Sequence, residues 1–138
     1  MKGIAGGILL VVAAFIILGA GRRDQEQASV RSADPTSFAN DVAPILQEKC
    51  LRCHDEDKPG PSELYLDSYS LLMAGGKHGI PVVPGKPDDS ILYQKLKEDP
   101  PFGDRMPLKK RSDPVGKYLS DDEMSVLAEW IRQGAKDN

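Results

Sequence analysis

Apolar residues recur at helical spacing in four stretches of the chain, and no stretch reads as a sheet strand. Phe38, Val42, Ile45 and Leu46 form one face of a helix running from about Thr36 or Asp41 to Lys49. Pro44 interrupts that run. It predicts either a helix starting near Pro44, capped by Asp41 or a neighbour, or a longer helix kinked there. A short second helix spans about Ser68 to Ala74 and stops at Gly75-Gly76. A third runs from about Asp88 to Glu98, with Ile91, Leu92, Lys95 and Leu96 on one face, Pro87 before it and Asp99-Pro100-Pro101 after it. The fourth carries the clearest signals. Ser120-Asp121-Asp122-Glu123 reads as a capping box, Met124, Leu127, Ala128 and Ile131 follow at helical spacing, and Gly134 is the stop. The loops between are rich in proline and glycine. They are longer than a compact domain of about 100 residues needs unless they wrap a ligand.

The N-terminus is a separate compositional block. An uncharged run from Gly3 to Gly21 lies between Lys2 and Arg22-Arg23. At about 1.5 Å per residue it spans roughly 28 Å, close to the hydrocarbon thickness of a bilayer. Its length favours an uncleaved transmembrane anchor over a signal peptide cut near Gly19-Ala20-Gly21. Arg22-Arg23 on the far side oppose the positive-inside rule and keep the signal-peptide reading open. A soluble core helix is the third alternative. Residues from about Asp24 to Asp34 are polar without apolar period and read as a flexible linker. The predicted organisation is therefore 1–23 anchor or signal peptide, 24–35 linker and 36–138 folded domain. Both main readings carry that domain out of the cytoplasm, to the periplasmic side of a bacterial inner membrane if the anchor stays.

Composition removes several function classes. A formal net charge of −3 argues against a nucleic-acid partner. No glycine-rich phosphate loop, Ser/His/Asp set or paired-carboxylate constellation stands out, and only two histidines are available for acid–base work. Aromatic residues make up 6% of the chain, so the core is short of large rings, a gap that a large flat apolar cofactor would fill.

Cys50-Leu51-Arg52-Cys53-His54 is the stretch that names a chemistry. C-x-x-C-H is the attachment site of a c-type haem: two thiols at this spacing can each form a thioether to one porphyrin, and the adjacent imidazole can ligate its iron. The chain contains two cysteines, both in this motif. A disulfide between them would close a small loop and stabilise little. A thioredoxin-type pair calls for a helix starting at the first cysteine, whereas here the helical pattern ends there. A structural zinc site would have to recruit His78, without the usual spacing of a second ligand pair.

With His54 on one face of the iron, the other face decides the function. Met73, His78, Met106 and Met124 are the candidates. Met124 and Met73 lie on helices and read as packing residues. His78, between Lys77 and Gly79, reads as a surface loop residue. Met106 lies in a loop of low apolar density, stiffened by Pro107, where a thioether has little packing reason.

These residues resemble the class I c-type cytochromes, and more closely the single-haem domain common in planctomycete proteins. The resemblance covers about residues 36–135. It runs through Phe38, Asp41-Val42-x-Pro44-Ile45-Leu46, Cys50-x-x-Cys53-His54, Leu64-x-Leu66-Asp67, Gly75-Gly76, Pro84-Gly85-x-Pro87, Ser90-x-Leu92, Met106-Pro107, Leu119-Ser120, Glu123 and Trp130-Ile131-x-x-Gly134-Ala135. It implies an all-α cytochrome c fold of about four helices with long loops around one haem, the first and last helices crossing beside it. It implies one covalent haem c on Cys50 and Cys53, with His54 and Met106 as axial iron ligands. It also implies a loop carbonyl, from Pro59 or Pro61, that accepts a hydrogen bond from the ligand histidine.

The function expected from this is a membrane-tethered carrier of single electrons, not itself an enzyme, with no small-molecule substrate. Its partners would be redox proteins or a larger membrane electron-transfer complex, respiratory or photosynthetic. Arg105, Lys109, Lys110 and Arg111, flanking Met106, suggest a basic docking face. The alternatives are a haem-based sensor or small-ligand binder with a displaceable sixth ligand, and a peroxidase-like enzyme with His78 as its distal group.

Overall fold

The computed structural model describes residues 34–58, 60, 62–108 and 118–138. The Gly3–Gly21 segment and the linker up to Ala33 lie outside them. Among the described residues no helix is long and apolar enough to cross a membrane. The regular structure there is helical, with only the isolated bridges Asp55–Lys58 and Gly76–Gly79 besides.

The first apolar run forms two joined pieces. Phe38–Val42 is one turn of π-helix, and Ala43–Lys49 is an α-helix, α1. Pro44 sits in the first turn of α1, where a missing N–H costs nothing. The turn before it is wound wide, with Val42 N–H donating to the Ser37 carbonyl at 3.2 Å. The helical path thus passes through the proline by changing winding. The predicted face is the buried one: Phe38, Val42, Ile45 and Leu46 are all buried.

Helix α2, Tyr69–Ala74, is capped by Ser68, whose side chain accepts from Leu71 N–H at 3.2 Å, and it ends at Gly75 as its sequence predicts. The third helix departs from expectation. In place of one helix over 88–98 there is a 3₁₀ turn, Pro87–Asp89, and a short α3, Ile91–Gln94. The break is at Ser90, fully buried and extended in backbone. Its hydroxyl accepts from Val83 N–H at 2.9 Å and donates to the Lys86 carbonyl at 2.8 Å. A serine bonded to nearby backbone competes with helix continuation, and here it wins.

Helix α4, Asp121–Arg132, has the full capping box: Ser120 N–H donates to Glu123 Oε2 at 2.7 Å, and Glu123 N–H donates to Ser120 Oγ at 3.2 Å. Leu127, Ala128, Trp130 and Ile131 are buried. Trp130 joins this helix to the start of the domain. Its ring lies 5.6 Å from Phe38 and 6.5 Å from Tyr69, which in turn stands edge-on to Phe38 at 5.3 Å. The polar ends are paired: Trp130 Nε1–H donates to the Lys136 carbonyl and the Tyr69 hydroxyl to the Ala135 carbonyl, both at 2.9 Å. Residues after α4 return to cap the first helical turn. Phe38 N–H donates to Asn138 Oδ1 and Ala39 N–H to the Asn138 carbonyl, both at 3.0 Å. Orphan donors of the first helix are thus satisfied from a hundred residues away. A Lys49–Glu123 ion pair at 3.4 Å ties the end of α1 to the start of α4. Together these contacts hold the C-terminal end of α1, and the motif that follows it, against the core.

Candidate haem site

The motif is presented by the last turn of α1. Cys50 closes the helix, its N–H donating to the Leu46 carbonyl at 2.8 Å. The Cys50 carbonyl then accepts from both Cys53 N–H and His54 N–H, each at 3.0 Å. That shared acceptor winds Cys50, Cys53 and His54 into one tight turn. Both cysteines are free thiols. Cys50 is half-buried against the core while Cys53 is exposed. Burial, reinforced by the neighbouring Cys53 and opposed by Lys49, pushes the Cys50 thiol up to about 12. At neutral pH Cys50 is therefore a neutral thiol packed against the core. Among the described residues no group of three or more His, Cys, Asp or Glu side chains is placed to hold a metal ion. His78 is engaged elsewhere, its ring 4.4 Å from that of Phe102.

His54 is oriented by the backbone. Its Nδ1 lies 2.9 Å from the Leu64 carbonyl oxygen. A carbonyl only accepts, so Nδ1 carries the proton and the lone pair is left on Nε2. Leu66 N–H closes the pairing by donating to the His54 carbonyl at 2.9 Å. The expected carbonyl acceptors, Pro59 and Pro61, lie outside the described residues, and the Leu64 carbonyl is the one that faces His54. Close packing explains why the bond falls there. A Cβ on Gly60 would lie 2.5 Å from the Cys53 carbonyl oxygen, and one on Gly76 would lie 2.6 Å from the Ser62 carbonyl oxygen. Gly60 is thus pressed against the motif turn, and Ser62–Leu64 against Gly76.

Met106 is half-buried against the core, and so are Met73 and Met124. Packing therefore does not single Met106 out, contrary to the sequence argument. Its loop is instead distinguished by how it is held. Met106 N–H donates to the Lys95 carbonyl at 2.8 Å. Arg105 Nε–H donates to the Leu96 carbonyl at 2.8 Å, and its guanidinium lies 3.8 Å from the centre of the Tyr118 ring. Arg105 is thus spent inside the domain rather than on a docking face, and Lys109, Lys110 and Arg111 lie outside the described residues. Lys95, which the helical pattern placed on an apolar face, is buried and points its ammonium at the carbonyls of Phe102 and Asp104. Nothing in its sequence context marks that role.

Residues 50–107 match the family profile described as planctomycete cytochrome C. That segment is similar to the planctomycete cytochrome c family. The chain is also similar to the hydrazine synthase subunit alpha of Kuenenia stuttgartiensis, 29% identical over 165 aligned positions that take in 98% of this chain and 20% of that protein. A solved structure of Kuenenia stuttgartiensis hydrazine synthase superposes with a TM-score of 0.44 at 29% identity, covering 72% of this chain and 16% of that one. The chain spans about a fifth of the length of the curated relative it matches.

The likeness corrects one expectation. A protein set apart from enzymes was anticipated, whereas the relative is a subunit of an enzyme. The family implies haem c, and the residues of this cytochrome domain fit it. Two free thiols share one turn, and the imidazole beside them has its Nδ1 proton engaged and its Nε2 lone pair available.

Proposed function

We propose that this chain is a monohaem c-type cytochrome that passes single electrons within a larger redox assembly, tethered to the membrane through Gly3–Gly21 with the haem domain on the periplasmic side. The observation that carries the proposal is the His54 imidazole, set by the Leu64 carbonyl so that Nε2 is free, on the same turn as two thiols at thioether spacing. When bound, haem c supplies a one-electron iron couple. Cys50 and Cys53 would hold it covalently, and His54 Nε2 and the Met106 sulfur would be the groups that ligate its iron. A thioether opposite the imidazole raises the potential relative to two imidazoles. The packing of the first helix against α4 through Phe38 and Trp130 supports reading 36–138 as a cytochrome c domain. The likeness to part of a hydrazine synthase subunit supports protein partners that assemble into a redox enzyme.

Denaturing electrophoresis of the membrane-derived protein, followed by a haem stain, tests the proposal. The band at this chain's mass should stain, and replacing either cysteine by serine should weaken or abolish the stain. A denatured protein free of haem, with both thiols available for alkylation, refutes it. N-terminal sequencing of the same band decides the tether: a mature start near Arg22 shows a cleaved signal instead.

A further inference from the structure

Lys95 is 9% exposed, unusual for a lysine, and its partners converge on one loop. Its ammonium donates to the Phe102 carbonyl and, at 2.6 Å, to the Asp104 carbonyl, with Gly103 between them. The same ammonium lies 4.6 Å from the centre of the Phe102 ring, which stacks against His78. The Lys95 backbone carbonyl accepts from Met106 N–H. One residue thus grips the loop twice, through its side chain at 102–104 and through its backbone at 106. Packing alone would be served by an apolar side chain, since the neighbouring Leu92 and Leu96 are buried. A buried ammonium is tolerated only where donors and acceptors are matched, so its placement follows from the loop carbonyls it faces.

We propose that Lys95 is a positioning residue for the Met106 loop, fixing the thioether where it ligates the haem iron. The inference rests on reading Met106 as the axial ligand. A thioether is a neutral, weak ligand, so its hold on the iron depends on how firmly the protein presents it. With the ammonium removed, the carbonyls at 102 and 104 lose their shared donor, the curl between them loosens, and Met106 leaves the iron more often.

The test uses the haem-loaded full chain and compares Lys95→Met, Lys97→Met and Met106→Leu. Lys95→Met conserves length and nearly conserves volume. Lys97→Met is the control, since the Lys97 ammonium pairs with Asp88 at 2.6 Å and lies over the Tyr93 ring rather than on the 102–106 loop. Three readouts apply: the sulfur–iron charge-transfer band of the oxidised protein, carbon monoxide binding to the reduced protein, and amide exchange at Met106 against the amides of α4. Met106→Leu should abolish the band. Lys95→Met should weaken it, and should speed carbon monoxide binding and Met106 exchange about tenfold, the effect of losing one good hydrogen bond. The amides of α4 and all readouts of Lys97→Met should stay as in the wild type. If Met106→Leu loses the band while Lys95→Met leaves all three readouts unchanged, the positioning role is overturned and the ligand reading survives. If Lys95→Met speeds exchange equally throughout, its role is general stability and the proposal is again overturned. A band that survives Met106→Leu overturns the ligand reading, and the proposal with it. Should Lys95→Met not fold, Lys95→Arg carries the test. Its longer planar fork cannot converge on both carbonyls in the same way, so the band and Met106 exchange should move in the same direction, and no movement overturns the proposal.

Discussion

Replacing Gly60 by alanine should destabilise the domain and impair haem loading together, because the position is closed by backbone rather than by a movable side chain. The added Cβ would lie 2.5 Å from the Cys53 carbonyl oxygen, against an ordinary contact of at least 3.4 Å, so the two must part by 3.4 − 2.5 = 0.9 Å. Neither side can yield freely. The Cys53 carbonyl belongs to the turn whose amides are fixed by the Cys50 carbonyl. Gly60 is flanked by Pro59 and Pro61, whose rings restrict the backbone, and its own carbonyl accepts from Glu63 N–H at 3.2 Å. Overpacking of this kind costs about 1–3 kcal/mol, and a clash with a main-chain carbonyl held in a hydrogen-bonded turn belongs near the upper figure. The displacement also reaches the chemistry, since the chain running on from Gly60 carries the Leu64 carbonyl that orients His54. Urea unfolding of the holoprotein, read beside the haem-to-protein ratio after expression, measures both consequences. Gly134→Ala serves as the comparison: nothing lies within 4 Å of its Cβ position, so its cost is the strain of an L residue at a φ of +101° rather than a clash, and because it lies beyond α4 it should lower stability while leaving haem loading intact. A Gly60→Ala protein within about 0.5 kcal/mol of wild type and fully loaded would refute the reasoning, because that is the scatter of inconsequential surface changes.

Trp130→Ala should cost about 3–5 kcal/mol in the same unfolding assay, since the ring is 1% exposed, touches Phe38 and Tyr69, and joins α4 to the first helix; a loss under about 1 kcal/mol would show that the crossing is not held there. Glu123 gives an acid dependence. Burial pushes its carboxyl up, but hydrogen bonds from Ser120 and the pairing with Lys49 outweigh burial and hold it below the ordinary Glu range. A carboxyl depressed in the folded state contributes stability above its unfolded value and loses it as pH falls through the folded value. The stability gap between wild type and Glu123→Gln should therefore be full at neutral pH and close in acid, and a gap that stays constant down to the acid limb would contradict the assignment.

The two outer helices are legible in the sequence because their signals are local. An apolar face, a capping box and a stop residue act within one or two turns, and Phe38, Val42, Ile45, Leu46, Leu127 and Ile131 are buried as that pattern predicts. The haem motif is legible for the same reason, since five consecutive residues carry two thiols and an imidazole at the required spacing. The third helix is not, because its fate depends on Ser90 meeting Val83 and Lys86 across a loop whose path the periodicity does not encode. The elimination that favoured Met106 failed in its premise, because half-burial against the core is a property of the assembled packing and is shared with Met73 and Met124.

What the sequence determined by itself was the chemistry the chain can hold and the helices that frame it. Where each polar atom points was decided by tertiary structure alone. The acceptor for His54 is a main-chain oxygen of Leu64, and every residue has one, so no side-chain pattern could name it. Lys95 sits on a face with Ile91, Leu92 and Leu96, and only the fold brings the carbonyls of Phe102 and Asp104 to its ammonium. Local signals set which elements form; the hydrogen bonds that aim a ligand join residues far apart along the chain, and these exist only once the chain has closed on itself.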